Sequence, residues 1–274
     1  MIFGDALHQL TLEGPALCVG VDPHPNTLER WGYPDSPAGL DGFLDVLLEQ
    51  LIEAEALMVK PQVALFERHG VRGMTSLATL LGRLRQAAIP SIGDGKRGDI
   101  GSTMEGYASA WLSQGADFEV DALTVSPYLG VGALTPALEL AAAQKKGVFV
   151  LSATSNQEAS SLQSAVTASG RSVAAEVIAG VADFVTAHPE ALRSHGVVVG
   201  ATLDQDALAL GLDQNATMPI LAPGFGAQGT PLSRARTLFP RQRSVIAVAA
   251  RSLLSTGPEG FALSIQDALQ ELAA

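Results

Sequence analysis

The chain has 274 residues, 47% of them hydrophobic, with 28 acidic against 17 basic side chains and a formal net charge of -11. That length suits one large core, and α/β barrels commonly run about 200 to 250 residues as a single domain. A chain this acidic repels phosphate backbones, which argues against nucleic acid as a general partner, and any phosphate it binds must meet a local exception. The N-terminus, MIFGDALHQL, carries Asp5 and no basic stretch leading into a long apolar core, and no apolar run is long enough to span a bilayer. Neither signal peptide nor membrane anchor is expected, and the expected location is cytoplasmic. Cys18 is the single cysteine, so no internal disulfide can form; inside the apolar run 16–21 it reads as a small buried hydrophobe.

In chain order, apolar and β-branched runs alternate with amphipathic stretches, and no Ser/Pro-rich linker interrupts them. Strands are predicted at 16–21, 57–60, 89–93, 119–125, 148–151, 197–200, 220–222 and 245–249. The clearest helices are predicted at 40–56, 74–88, 102–114, 174–187 and 260–273. Near-continuous apolar strands such as GVFVL and HGVVVG suit a parallel sheet buried on both faces. Eight strand-then-helix units favour a closed (β/α)8 TIM barrel, a single-domain α/β fold spanning 1–274, over a doubly wound sheet.

Barrel active sites lie where strands end and the following loops begin. By that rule Asp22 follows strand 1, Lys60 follows strand 2, and Asp94, Lys96 and Asp99 follow strand 3. Lysine is scarce, with four against 13 arginines; Lys60 and Lys96 end apolar runs where an unpaired ammonium is costly, whereas Lys145 and Lys146 read as a solvated turn beside Gly147. Asp94 and Lys96, two residues apart, can point to the same side of an extended segment. The ordinary alternative is a surface ion-pair network with Asp99 capping a helix toward Thr103, which accounts for Asp99 but poorly for the others.

Gly224-Phe-Gly226-Ala-Gln-Gly229 fits G-x-G-x-x-G, yet it follows the seventh strand, and about 20 residues on, where a ribose-binding acid is expected, the chain offers Arg251. A Gly-rich turn followed by Arg251 at the end of strand 8 instead describes a monophosphate cradle, in the two loops where barrels frequently bind phosphate. The five histidines, His8, His24, His69, His188 and His195, show no metal-ligand spacing and read as surface or satisfied core residues. Ser155 lies in no G-x-S-x-G elbow.

The segment Asp94-Gly-Lys96-Arg97-Gly-Asp99-Ile100-Gly-Ser-Thr103 resembles the D-x-K-x-x-D-I-x-x-T signature of orotidine 5'-phosphate decarboxylases. VGVDP with Asp22, MVKPQ with Lys60, ATSN with Ser155, APGFGAQG with Gln228 and AARS with Arg251 extend the similarity in order from strand 1 to strand 8, and the KPQ and TSN wording is similar to the longer bacterial (type 2) branch. The resemblance implies conversion of orotidine 5'-monophosphate (OMP) to UMP and CO2 in pyrimidine biosynthesis, without metal or cofactor. It implies that Asp22 and Lys60 hold the ribose, Asp94 and Lys96 flank the reacting carbon, Ser155 reads the pyrimidine edge, and Gln228 and Arg251 take the phosphate. It further implies a homodimer in which Asp99, Ile100 and Thr103 reach into the partner's site. Two positions depart from the pattern: Gln157, where Pro often follows, and Ala250, where Gly usually precedes the arginine. A metal-dependent sugar-phosphate decarboxylase or aldolase sharing Asp94 and Lys96, and a noncatalytic nucleotide binder, remain as alternatives on sequence alone; in those metal-dependent relatives an acid typically occupies the position of Lys60.

Overall fold

A computed structural model describes residues 2–203, 208–227 and 229–274. Eight strands form one parallel sheet: β1 (Ala16–Val21), β2 (Val59–Pro61), β3 (Ile92–Arg97), β4 (Ala122–Val125), β5 (Gly147–Ala153), β6 (His195–Val199), β7 (Ile220–Pro223) and β8 (Val245–Ala249), laddered in the order β2-β1-β8-β7-β6-β5-β4-β3. The two ends of that order meet through the isolated parallel bridges Val59↔Ser91 and Gln62↔Asp94, which close the barrel. The main helices are α1 (Phe3–Leu10), α2 (Pro37–Glu53), α3 (Gly70–Gln86), α4 (Gly101–Leu112), α5 (Thr135–Ala143), α6 (Val173–Ala187) and α7 (Gly257–Ala273). The eightfold (β/α) expectation holds, although among the described residues the connection before β7 carries only the 3-10 turn Leu212–Asn215 and that before β8 only the short turns Leu232–Arg234 and Ala235–Leu238.

Strand alternation separates two cores. Leu17, Val19 and Val21 of β1 face outward into the layer shared with the helices, while Cys18 faces inward with Met58, Ile92, Ala122, Phe149, Val198, Leu221, Ile246 and Val248. Helix α1 plugs the bottom of the barrel: Phe3 and Leu7 join the inner cluster, and the Phe3 ring meets Phe149 edge-on at 6.2 Å. Cys18 is fully buried, and that burial pushes its thiol up to about 12 despite the nearby Lys60 ammonium. This fits the small-hydrophobe reading of its sequence context.

Strand 3 differs from its predicted bounds. It begins at Ile92 and runs through Arg97, so Asp94 and Lys96 lie within the strand instead of after it. Apolar content marks only its first half; pairing of Arg97 with Val125 across a register shift extends it. The expectation for Lys146 also fails. Lys145 is exposed at φ +59°, but Lys146 is buried and its Nζ donates to Glu119 Oε1 at 2.8 Å. Adjacent residues at a strand entrance face opposite ways, which a shared turn composition conceals.

His195, at the entrance of β6, is a satisfied core histidine. Its Nε2 lies 2.8 Å from the Leu138 carbonyl, which can only accept, so Nε2 carries the proton and Nδ1 faces the Ser194 hydroxyl at 3.0 Å. The ring lies parallel to Phe184, which stacks on His188. Burial is the main cause that lowers its pKa to about 4, because a cation there loses its hydration. The folded value lies below the ordinary 6.5, so this contribution to stability is fully present above pH 6.5 and is lost as pH falls toward 4. Between pH 6.5 and 5 the wild-type protein is expected to lose about 2 kcal/mol of unfolding free energy through this group. Urea unfolding of a His195→Gln variant should show a correspondingly flatter dependence on pH over that interval.

Candidate active site

The site extends the inward-facing series of each strand by one or two steps. Cys18 leads to Asp22, Met58 to Lys60 and Gln62, Ile92 to Asp94 and Lys96, and Ala122 to Thr124. Inward residues that are apolar at the bottom and middle of the barrel become charged at its C-terminal mouth. There they line a cavity of about 250 Å³, floored by Leu151, Val198, Leu221 and Val248.

Asp94 is the centre of the array. Its Oδ2 accepts from Lys60 Nζ at 2.6 Å; its Oδ1 accepts from Lys96 Nζ at 2.5 Å and from the Thr124 hydroxyl at 2.9 Å. Burial by itself raises the Asp94 pKa, but the charges and hydrogen bonds of Lys60 and Lys96 outweigh it and hold the carboxyl well below the usual range. Burial likewise opposes the charge on Lys60, yet Asp94 and Asp22 together raise its pKa above the ordinary lysine value. The pair is 7% and 9% exposed, whereas the Lys96 side chain is 46% exposed and reaches into the mouth. Lys96 has φ +47°, an uncommon conformation for a residue with a Cβ. Its N–H donates to Thr124 Oγ1 at 3.0 Å, so one threonine fixes both the backbone of Lys96 and the carboxylate that its ammonium meets.

Asp22 lines the same cavity, and its buried Oδ1 accepts no hydrogen bond among the described residues, which leaves it able to take a donor such as a ligand hydroxyl. Ser155, after β5, and Arg251, after β8, line it as well. The loop carrying Ser155 is held by Gln163, whose Oε1 accepts from Thr154 N and whose Nε2 donates to Thr154 Oγ1, both at 2.9 Å. In the Gly-rich loop, Gly224, Gly226 and Gly229 all have positive φ. The Gly226 and Gly229 amides donate within the loop, to Thr230 O and Gly226 O at 2.8 Å, so neither is available to an anion. A Cβ on Gly226 would come within 2.4 Å of Ser252 Oγ, which is why the loop can lie against the turn bearing Arg251. Gln228 lies outside the described residues.

Both departures from the family pattern are accommodated locally. Ala250 sits at φ -131° and ψ -75°, outside the main α and β regions, and its Cβ lies where a side chain on Gly20 would collide at 2.4 Å; the glycine on β1 makes room for the alanine after β8. Asn156, before Gln157, is extended at φ -78° and ψ 138°, the geometry a chain takes before proline, so the turn keeps its form without one.

Three predicted residues are not brought to this cavity. Asp99, Ile100 and Thr103 follow β3 on the outer side of the mouth, with Ile100 62% exposed. Asp99 does not cap through Thr103: its carboxylate accepts from the adjacent Ile100 N–H at 2.8 Å, and Ile100 occupies the N-cap. Thr124, Gln62 and Gln163 escaped the sequence reading. Thr124 carried a usable signal, a hydroxyl inside the fully buried strand ALTV.

Asp94→Asn should strand the Lys60 ammonium beside a neutral amide in a buried place and destabilise the protein by about 3 kcal/mol. Lys96→Ala, at the exposed end, should change stability by less than about 1 kcal/mol. Denaturant midpoints of the two variants test this ordering, and equal losses would contradict it.

Residues 15–260 match the model of the family described as orotidine 5'-phosphate decarboxylase / HUMPS. The orotidine 5'-phosphate decarboxylase of Salinispora tropica is 47% identical over 262 residues, covering 95% of this chain and 92% of that protein. That of Streptomyces coelicolor is 44% identical over 263 residues, with the same coverage of each. Among solved structures, a candidate orotidine 5'-phosphate decarboxylase from Streptomyces avermitilis superposes with TM-score 0.90 at 40% identity, covering 98% of this chain and 94% of that one.

Proposed function

The chain belongs to the orotidine 5'-phosphate decarboxylase / HUMPS family, and on that premise we propose that it is a carboxy-lyase converting OMP to UMP and CO2 by direct decarboxylation. The observation that carries this reading is the buried Asp94 carboxylate held between the Lys60 and Lys96 ammoniums above an apolar floor. Loss of CO2 from C6 of the pyrimidine leaves a carbanion in the ring plane, with no adjacent carbonyl to delocalise it. Such a reaction needs a fixed positive charge beside C6 and a proton delivered to it. Lys96 serves both roles: its ammonium stabilises the developing charge and then protonates C6. Asp94 opposes the desolvation of Lys96 by substrate and keeps it charged, and no step requires a metal or cofactor.

Asp22, with its unmatched acceptor, and Lys60 hold the ribose hydroxyls, Ser155 reads the pyrimidine edge, and Arg251 with Gln228 takes the phosphate. The Arg251 fork suits a phosphate dianion and supplies the local basicity that an acidic chain otherwise lacks. Phosphate grip remote from C6 positions the ring for the transition state, so its energy is expressed as rate. A homodimer completes the site: Asp99, Ile100 and Thr103 reach into a second copy's cavity. In support, the neighbouring loops after β3 and β4 leave Ile100, Tyr128 and Leu129 more than half exposed, an apolar surface suited to a partner.

The purified protein should deplete OMP in an ultraviolet assay with chelator in excess. Absence of turnover by the dimer would refute the proposal, and turnover abolished by chelator would favour a metal-dependent relative. Lys96→Ala should lower kcat by about 10³-fold or more. Mixing Lys96→Ala and Asp99→Ala chains should restore part of the activity through hybrid dimers; none, with subunit exchange demonstrated, would refute shared sites.

A further inference from the structure

Each strand is laddered to its neighbours around the barrel except at one junction. Seven adjacent pairs are laddered, two of them with a register shift, whereas β2 and β3 meet only through isolated bridges. Among the backbone bonds across this seam, Val59 N–H donates to Pro90 O at 2.9 Å, and Val63 N–H to Asp94 O at 3.3 Å. Lys60 stands on one side of the seam, and Asp94 and Lys96 on the other. The charge array therefore spans the one junction of the barrel that is held by isolated bridges instead of a ladder.

Outside the barrel a second ion pair spans the same seam. Glu67 ends the short helix Ala64–Glu67 that follows β2, and its carboxylate accepts from the Arg97 guanidinium at the end of β3. Arg97 is held from the other side by α4, with its guanidinium carbon 5.6 Å from the centre of the Tyr107 ring and 6.0 Å from that of Trp111. Its main chain is fixed too, since Ser126 N–H donates to Arg97 O at 2.7 Å. Arg97 directly follows Lys96, whose left-handed backbone persists only if its surroundings determine it.

We propose that Glu67 and Arg97 form an outer clamp across the β2/β3 seam and act as positioning residues that fix Lys96 relative to Lys60. An exposed ion pair ordinarily contributes little, because two long side chains must be ordered to form it. Here the aromatic rings of α4 already order the arginine, and its side chain is only 23% exposed. Asp94 joins the two lysines inside the barrel while the clamp joins their strands outside, so both ends of the seam are tied. The role assigned to the clamp rests on the reading that Lys60, Asp94 and Lys96 carry the reaction.

The test compares full-length wild type, Glu67→Gln and Arg97→Lys by residue-resolved hydrogen exchange and by steady-state decarboxylation of OMP. In Glu67→Gln the Val59 and Val63 amides should exchange about tenfold faster, with the β5/β6 ladder unchanged. Its kcat should fall about 10- to 100-fold while KM stays within about threefold, because Arg251, which follows β8 and lies on neither strand of the seam, is untouched. Arg97→Lys, which keeps the charge and its place against the rings, should lie between wild type and Glu67→Gln. Unchanged seam exchange, acceleration spread evenly over all strands, or faster seam exchange with unaltered kcat would each overturn the proposal. If wild type does not turn over OMP, the functional reading fails, while the exchange contrast still decides whether the clamp exists.

Discussion

The array depends on one carboxylate, Asp94, which lies inside an apolar barrel because two ammoniums meet it there. Without Lys60 and Lys96 the buried charge would be expelled or neutralised; with them it is kept ionised, and it in turn keeps Lys60 protonated in a place that burial opposes. The three groups are mutually dependent. Their arrangement also links β2 to β3 at the one junction where the backbone supplies only bridges, so the electrostatics of the site and the closure of the barrel are the same contacts seen from two sides.

Strand periodicity turns that local arrangement into a site. Each inward row begins with an apolar residue packed against its neighbours and ends at the mouth with a polar one, so side chains two residues apart pass from core to chemistry without any change of backbone direction. The floor of Leu151, Val198, Leu221 and Val248 excludes water from below and lowers the local dielectric, which strengthens the charge interactions above it. The opposite face of the barrel contains buried charged and titratable groups as well, and two of them have partners there. Lys146 is matched by Glu119 and His195 by Leu138 and Ser194, and α1 covers the floor of the barrel. Paired ionisable groups at one end, and at the other a cavity lined by a carboxylate with an unmatched acceptor on Asp22, distinguish a face that holds the fold from one that can hold a ligand.

Much of this was written in the sequence. Burial on both faces makes parallel strands continuous in hydrophobicity while helices stay amphipathic, so eight strands and five long helices were legible from that pattern, with β1 and β8 matching to the residue. Charged residues at the ends of apolar runs were legible because so few explanations exist for a lysine in that place, and Asp22, Lys60, Asp94, Lys96, Ser155 and Arg251 do come to one cavity. Tertiary structure alone decided the rest. The polar half of β3 becomes strand only through its pairing with β4, and Lys146 is buried only because Glu119 folds beside it. Thr124 acquires its importance from residues about 30 positions earlier, and Ala250 is tolerated only because Gly20 lies opposite. Periodicity and composition act between near neighbours along the chain and can therefore be read from it, whereas a hydrogen bond or a steric accommodation between distant segments exists only once folding has brought them together.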